Sequence, residues 1–288
     1  MYVRQNVSPA VVWGFAWKFV LFYVAWSVAI TFAYDRLQWT WLALPFAPLS
    51  LMGVAVAFYV GFKNSQSYDR LWEGRKIWGS IVNASRTFGM QVLTLTGADA
   101  ATKAELVHRH LAFINALRLQ LRRQPLDHEV KRHVPERERE ALGSHANAAT
   151  QLLLAQGRAL AELRAKGQLL ELTHVELAGT LRELYDCQGR AERIKNTPFP
   201  RQYAYFSKVF VWQLLLLLPF GLLNAFKETY VWLTVPTYVL LAWMYMTMEL
   251  VGHYSENPFE NFINDVPMSA LCRTIEIDLA QMLGEPAP

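Results

Sequence analysis

The apolar residues of this chain predict an all-α membrane protein, with four transmembrane helices and a large helical cytosolic region between the second and the third. Three features carry that reading. Of the 288 residues 53% are hydrophobic and only 18% are charged. The apolar residues gather in two blocks, roughly 11–62 and 206–252, on either side of a charge-rich middle. Where the middle shows a period it is helical, and no stretch alternates as a strand does.

The first span runs from Val11 to about Tyr34. It is too long for a cleaved signal and no small-residue cleavage site follows it. Residues 1–10 are polar and are expected along the inner membrane surface. Lys18 sits near the start of the span, within snorkelling reach of the headgroups. Asp35 and Arg36 make a short outer turn, and Trp39 and Trp41 fit an interface anchor.

The second span ends at Phe62 and is expected to kink or break at Pro45 and Pro48, since proline removes a donor and crowds the preceding turn. The stretch from Leu49 is too short to span alone at 1.5 Å per residue, so the helix should continue into the cytosol through Tyr68 and Trp72. Two stripes run along it. Gly53, Ala57 and Gly61 have the small-residue spacing that lets membrane helices approach closely. Val54, Phe58 and Phe62 recur at the same interval on an adjacent face. Such an apolar stripe ordinarily packs on lipid or on another helix; the sharper reading is that it lines a pore.

Within 63–205 amphipathic helices are expected at Ala104–Arg122 and at Asn147–Ala165, the latter broken by Gly167. The charged Glu136–Glu140 segment reads as a solvated helix start. A further helix begins at Thr173, where Thr-His-Val-Glu reads as a capping box with Glu176, and it ends before Pro198 and Pro200. The third span covers about Phe206–Phe226. Lys227 and Glu228 form the second outer turn, and the fourth span covers about Tyr230–Val251. A last helix carries Leu271, Ile275, Leu279 and Met282 on one face and stops at Gly284. The chain thus divides into 1–62 (N-terminal segment and two spans), 63–205 (cytosolic domain), 206–252 (two spans) and 253–288 (cytosolic tail and helix).

Lys63, Arg70, Arg75 and Lys76 follow the second span and Arg190, Arg193, Lys195 and Arg201 precede the third, which puts both termini and the middle domain in the cytosol; the plasma (inner) membrane is the expected location of the spans. The same rule accounts for the net charge of +4 without nucleic acid as a partner. Cys187 and Cys272 lack a CxxC partner and read as free thiols. No Walker loop, GxGxxG, HExxH or GxSxG occurs, so nothing argues for an enzyme or a catalytic residue. His108 and His110, two apart on a helix, face different ways and read as surface residues. Glu249, His253 and Glu256 share a helical face, but three polar residues at a membrane edge are commonplace and no metal is assigned.

Several segments resemble the bestrophin family of ion channels in its bacterial branch. They are Phe62-Lys63-Asn64-Ser65 with Tyr68-Asp69-Arg70, Glu73-Gly74-Arg75 and Ile77-Trp78-Gly79; Glu192-Arg193-Ile194 with Asn196-Thr197-Pro198 and Pro200; and Glu256-Asn257-Pro258-Phe259 with Asn264-Asp265-Val266-Pro267 and Ala270-Leu271-Cys272-Arg273-Thr274-Ile275-Glu276. They occur in family order and cover most of the chain outside roughly 100–165.

The resemblance implies a homopentamer in the lipid bilayer, conducting monovalent ions through one central pore. Five copies of the second span would form a hydrophobic neck, with rings at Val54, Phe58 and Phe62. A cytosolic constriction would fall at Leu172 or Thr173; Leu172 also reads as a hydrophobic staple against Leu177. Animal members conduct chloride, whereas bacterial members of this type favour cations, which makes a cation channel the first expectation and an anion channel its alternative. Calcium-activated animal members follow Asn-Pro-Phe with a run of acids. Here the run Glu260-Asn261-Phe262-Ile263-Asn264-Asp265 holds only two, so calcium gating is not expected and no cofactor is assigned. Two other classes compete. A secondary transporter would want repeated halves and ionisable mid-membrane sites. A membrane-anchored scaffold would use the cytosolic insert alone.

Overall fold

The computed structural model describes residues 9–262 and 264–286, and the side chains of these except 9–13, 15–16, 137, 140–141 and 227–229. Residues 1–8, expected along the inner surface, lie outside the described residues. Ten α-helices follow one another among the described residues: α1 Pro9–Arg36, α2 Phe46–Leu95, α3 Ala100–Leu121, α4 His128–Lys131, α5 Glu136–Ser144, α6 Ala148–Ala165, α7 Glu171–Asn196, α8 Arg201–Tyr230, α9 Thr234–Ser255 and α10 Met268–Leu283. No strand occurs among these residues, and four of their helices are long and apolar enough to cross a membrane.

The chain falls into two compact units. One runs up to Arg70 and resumes over Pro198–Glu256; the other comprises Leu71–Thr197 and the segment from Asn257 on. The expected divisions at 62, 205 and 252 fall inside α2, α8 and α9.

In the first unit α1, α8 and α9 pack together with the N-terminal part of α2 around Tyr23, Val56, Val60, Val211, Leu214 and Tyr238. The expected break at Pro45 and Pro48 is instead a helix start. Pro48 is the third residue of α2, where its missing N–H has no intrahelical acceptor to lose. The result is one unbroken helix of 50 residues, roughly 75 Å long at 1.5 Å per residue. The small stripe behaves differently from its reading too. Gly53 is in close contact with α9, where Tyr245 Oη donates to its carbonyl at 3.1 Å, but a Cβ on Gly61 would meet nothing within 4 Å. The face that α2 buries in its own chain is Val56, Val60, Lys63 and Ser67.

Pro219 lies inside α8 and leaves the Leu215 carbonyl without its helical donor. Tyr238 Oη of α9 donates to that carbonyl at 2.9 Å, Trp26 Nε1 of α1 donates to Leu216 O at 3.2 Å, and the Leu44 N–H donates to Phe220 O at 3.1 Å. Neighbouring segments therefore satisfy the disturbed turn, as the absence of water in a bilayer demands. The connection after α8 is a 3₁₀ turn at Val231–Leu233, beyond the turn expected at Lys227–Glu228, through which the helix continues.

In the second unit α3 is central: nearly every residue from Leu106 to Leu121 is buried, and α6, α7 and α10 pack on it. A helix covered on all sides leaves no surface phase. His110, expected at the surface, is therefore fully buried between Phe88 and Phe113, with ring centroids at 5.1 and 5.7 Å. His108 keeps a third of its side chain exposed and faces Glu285 at 3.1 Å. Cys187 and Cys272 are both buried and free. The helix starts follow their caps: the Asp99 and Asn147 side chains accept from Thr102 N at 2.8 Å and Thr150 N at 2.9 Å.

The expected capping box at Thr173 does not form. α7 begins two residues earlier, at Glu171, with Leu170 as its cap, and the Thr173 hydroxyl donates back to Leu170 O at 3.0 Å. A threonine one turn into a helix satisfies its own hydroxyl this way and no longer caps. The last helix ends as expected, with Gly284 left-handed at φ 75° and Glu285 N donating to Ala280 O at 2.9 Å.

Candidate pore face and buried charges

Helical phase divides α2 into two opposite sides within the first unit. Positions two apart lie about 200° from one another on a helix of 3.6 residues per turn. Phe58 and Val60 therefore face opposite ways, as do Phe62 and Val60. Val60 is fully buried, whereas Val54, Phe58 and Phe62 are 68%, 78% and 51% exposed in the chain. Leu51, on the same side one turn earlier, is 72% exposed. Phe62 is partly screened by Tyr203 of α8, at 5.9 Å between rings, and Tyr203 in turn stacks on Tyr59 at 4.3 Å. Among the described residues one apolar side of α2 is therefore left largely exposed, with only its Phe62 end partly covered.

In the other unit, Leu172 is 82% exposed at the start of α7, beside the exposed Leu170 and Val175, so it does not staple onto the buried Leu177. Thr173 is half-buried, its hydroxyl turned to the Leu170 carbonyl.

Behind the apolar side of α2 the first unit buries a charge. Lys63 Nζ is 2.6 Å from Glu249 Oε1, and Ser207 Oγ donates to Glu249 Oε2 at 2.6 Å, which ties α2, α9 and α8 at one point. The two charged side chains are 1% and 6% exposed. Lys63 reads in the sequence as one of several basic residues at a cytosolic span end; its burial was missed. The usable signal was a lone acid, Glu249, closing an otherwise uncharged span, since ions at membrane depth pair with one another. A cavity of about 820 Å³ adjoins the pair, lined by Arg201, Tyr205, Trp212 and Glu256 as well. Next to it Asn64 Nδ2 donates to Met248 O at 3.0 Å, and its side chain occupies the space that a Cβ on Gly252 would need. Arg70 Nε donates to Glu256 O at 3.1 Å. Three residues of the Lys63–Arg70 motif therefore dock on the last two turns of α9 and its cap.

In the second unit Gly74 holds Phe259 and Pro258, which a Cβ there would meet at 3.2 and 3.4 Å. In the loop after Phe259 acidic and amide side chains are engaged within the chain. Glu260 Oε1 takes Lys195 Nζ at 2.7 Å and Asn261 Oδ1 takes Arg122 Nη2 at 2.7 Å. Asp265 Oδ2 accepts from Phe262 N at 3.1 Å, and burial raises its carboxyl above the usual range. Glu249, His253 and Glu256 do not converge as ligands, since Glu249 is committed to Lys63 and Ser207. Among the described residues no group of three or more His, Cys, Asp or Glu forms a metal site.

The profile described as "Bacterial/Fungal Bestrophin protein" matches residues 3–281. The chain is 32% identical over 262 residues to "Voltage-dependent anion channel-forming protein YneE" of Escherichia coli strain K12, covering 90% of this chain and 84% of that protein. It is 30% identical to "Voltage-dependent anion channel-forming protein mll4386" of Mesorhizobium japonicum, covering 84% and 76%. Among solved structures it is similar to a bacterial bestrophin homologue from Klebsiella pneumoniae, with 29% identity and a TM-score of 0.87 over 93% of this chain and 98% of that one.

Proposed function

This chain belongs to the bestrophin family, in its bacterial and fungal branch, and from that membership we propose that it is an ion channel rather than an enzyme, transporter or scaffold. Copies of the chain assemble as a ring of five in the inner membrane, with both termini and the Leu71–Thr197 segment in the cytosol. The exposed side of α2 faces the axis, and Val54, Phe58 and Phe62 form the neck. Leu172 or Thr173 forms a second constriction. The observation that carries the reading is the exposure of Val54, Phe58 and Phe62 on a helix whose opposite side is fully buried.

A neck of valine and phenylalanine offers no polar group to replace an ion's hydration shell. It closes by dewetting when narrow and passes hydrated monovalent ions when dilated. The relatives' names favour anions, against the cation preference first expected. The neck itself carries no charge, so the sign of the ion falls to charged groups beside it. Ionic current from the purified protein in planar bilayers, together with a pentameric mass, tests the reading. A monomer or dimer without current contradicts it.

A further inference from the structure

The side of α2 that holds the neck does not end at Phe62. From Phe58 the positions that return to the same direction are 62, 65 and 69, the last about 20° from Phe58 after three turns. Ser65 and Asp69 occupy them and both are exposed, whereas Lys63 and Ser67, on the other side, are buried. Asp69 is thus the first charged residue on this side of α2, roughly 10 Å along the helix beyond Phe62.

Several neighbouring charges are already engaged. Lys63 is paired with Glu249 at 2.6 Å behind the helix. Arg70 is directed at the Glu256 carbonyl, 3.1 Å away, and at the Glu256 charge. Further along the chain Glu73 and Lys76 pair with each other at 3.1 Å. Asp69 makes no ion pair or side-chain hydrogen bond among the described residues. Among the described residues its charge is therefore uncompensated, next to the apolar stripe.

We infer that Asp69 determines the sign of the permeant ion: repeated around the axis, it forms an acidic ring at the cytosolic mouth of the neck that concentrates cations and repels anions. This rests on the channel reading above, with α2 facing the axis. A ring of carboxylates is a common basis of cation selectivity. It acts here on ions that have kept their water, so it selects by charge and discriminates poorly among potassium, sodium and other small monovalent cations.

The test is the reversal potential of the full-length protein in planar bilayers under a potassium chloride gradient. Wild type and Asp69→Glu should reverse near the potassium equilibrium potential. Asp69→Asn should lower the potassium-to-chloride permeability ratio by roughly tenfold, and Asp69→Lys should carry the reversal towards the chloride value. Wild type alone supplies a second arm, because the Debye length shrinks from about 10 Å at 0.1 M salt to about 3 Å at 1 M. Its cation preference should weaken over that range. Equal reversal potentials in all four proteins, a chloride-selective wild type, or a preference indifferent to salt overturns the inference while leaving a channel in place. Absence of current from wild type and from Phe58→Ala alike removes the channel reading itself, and the inference with it.

Discussion

Lys63 Nζ and Glu249 Oε1 stand 2.6 Å apart, almost wholly shielded from solvent, with Ser207 Oγ holding the second carboxylate oxygen. Two charges out of water are stable only as a pair, so neither partner is dispensable alone. Lys63→Met or Glu249→Leu by itself should cost about 3–5 kcal/mol, and the double variant should regain most of that loss. Thermal or denaturant unfolding of the four proteins in detergent measures the coupling. Additive losses would show that the pair is not the unit that matters.

The Tyr238–Leu215 contact exists because Pro219 vacates a carbonyl. Tyr238→Phe should therefore destabilise the protein by about 0.5–1.5 kcal/mol in a Pro219 background. Pro219→Ala restores a helical donor to the Leu215 carbonyl, and in that background the same tyrosine change should be nearly silent. A double-mutant cycle by unfolding reads the difference. An equal cost in both backgrounds would separate the hydroxyl from the proline.

Gly252 is fixed by the Asn64 side chain, which fills the place of a Cβ. Gly252→Ala should displace Asn64 from the Met248 carbonyl and lower stability by about 1–2 kcal/mol, despite alanine being the better helix former. Asn64→Ala in the same chain should relieve most of the clash. A stabilising Gly252→Ala would contradict the packing seen here.

These contacts also show what could be read before the fold was known. Four apolar runs and their charged ends sufficed for the spans, because hydropathy over twenty residues is a sum that no single contact can reverse. Terminal details were harder. Pro48 and Thr173 each carry a local preference whose meaning changes with a shift of two residues in the helix start. Lys63 and His110 were misjudged for a different reason: burial is decided by other helices, α8 and α9 for Lys63 and α2 for His110, and neither residue's sequence neighbours announce it. The stripe of Val54, Phe58 and Phe62 was legible as a stripe. Its exposure on one chain is what the coordinates add.

His110 supplies a pH effect. Burial without a hydrogen-bond partner for either ring nitrogen holds its pKa down at about 3, against about 6.5 for the unfolded chain. Between those values the unfolded state binds the extra proton, so the contribution is complete above about pH 6.5 and is lost as the pH falls towards 3. At pH 5 the loss is about 2 kcal/mol. Unfolding of wild type and His110→Leu across pH 4 to 7 should show a steeper decline for wild type. Parallel profiles would mean that the imidazole is not the group being titrated.

The most direct test of the pore face is the current through Val54→Ala, Phe58→Ala, Phe62→Ala and the triple variant in planar bilayers, compared with wild type at equal protein incorporation. Removing methyls and rings from a neck that closes by dewetting widens it and keeps it wet. Each variant should raise open probability or conductance, with the largest rise in the triple. Currents identical to wild type in all four would place these side chains against lipid or a neighbouring helix, and α2 would not line the path of the ion.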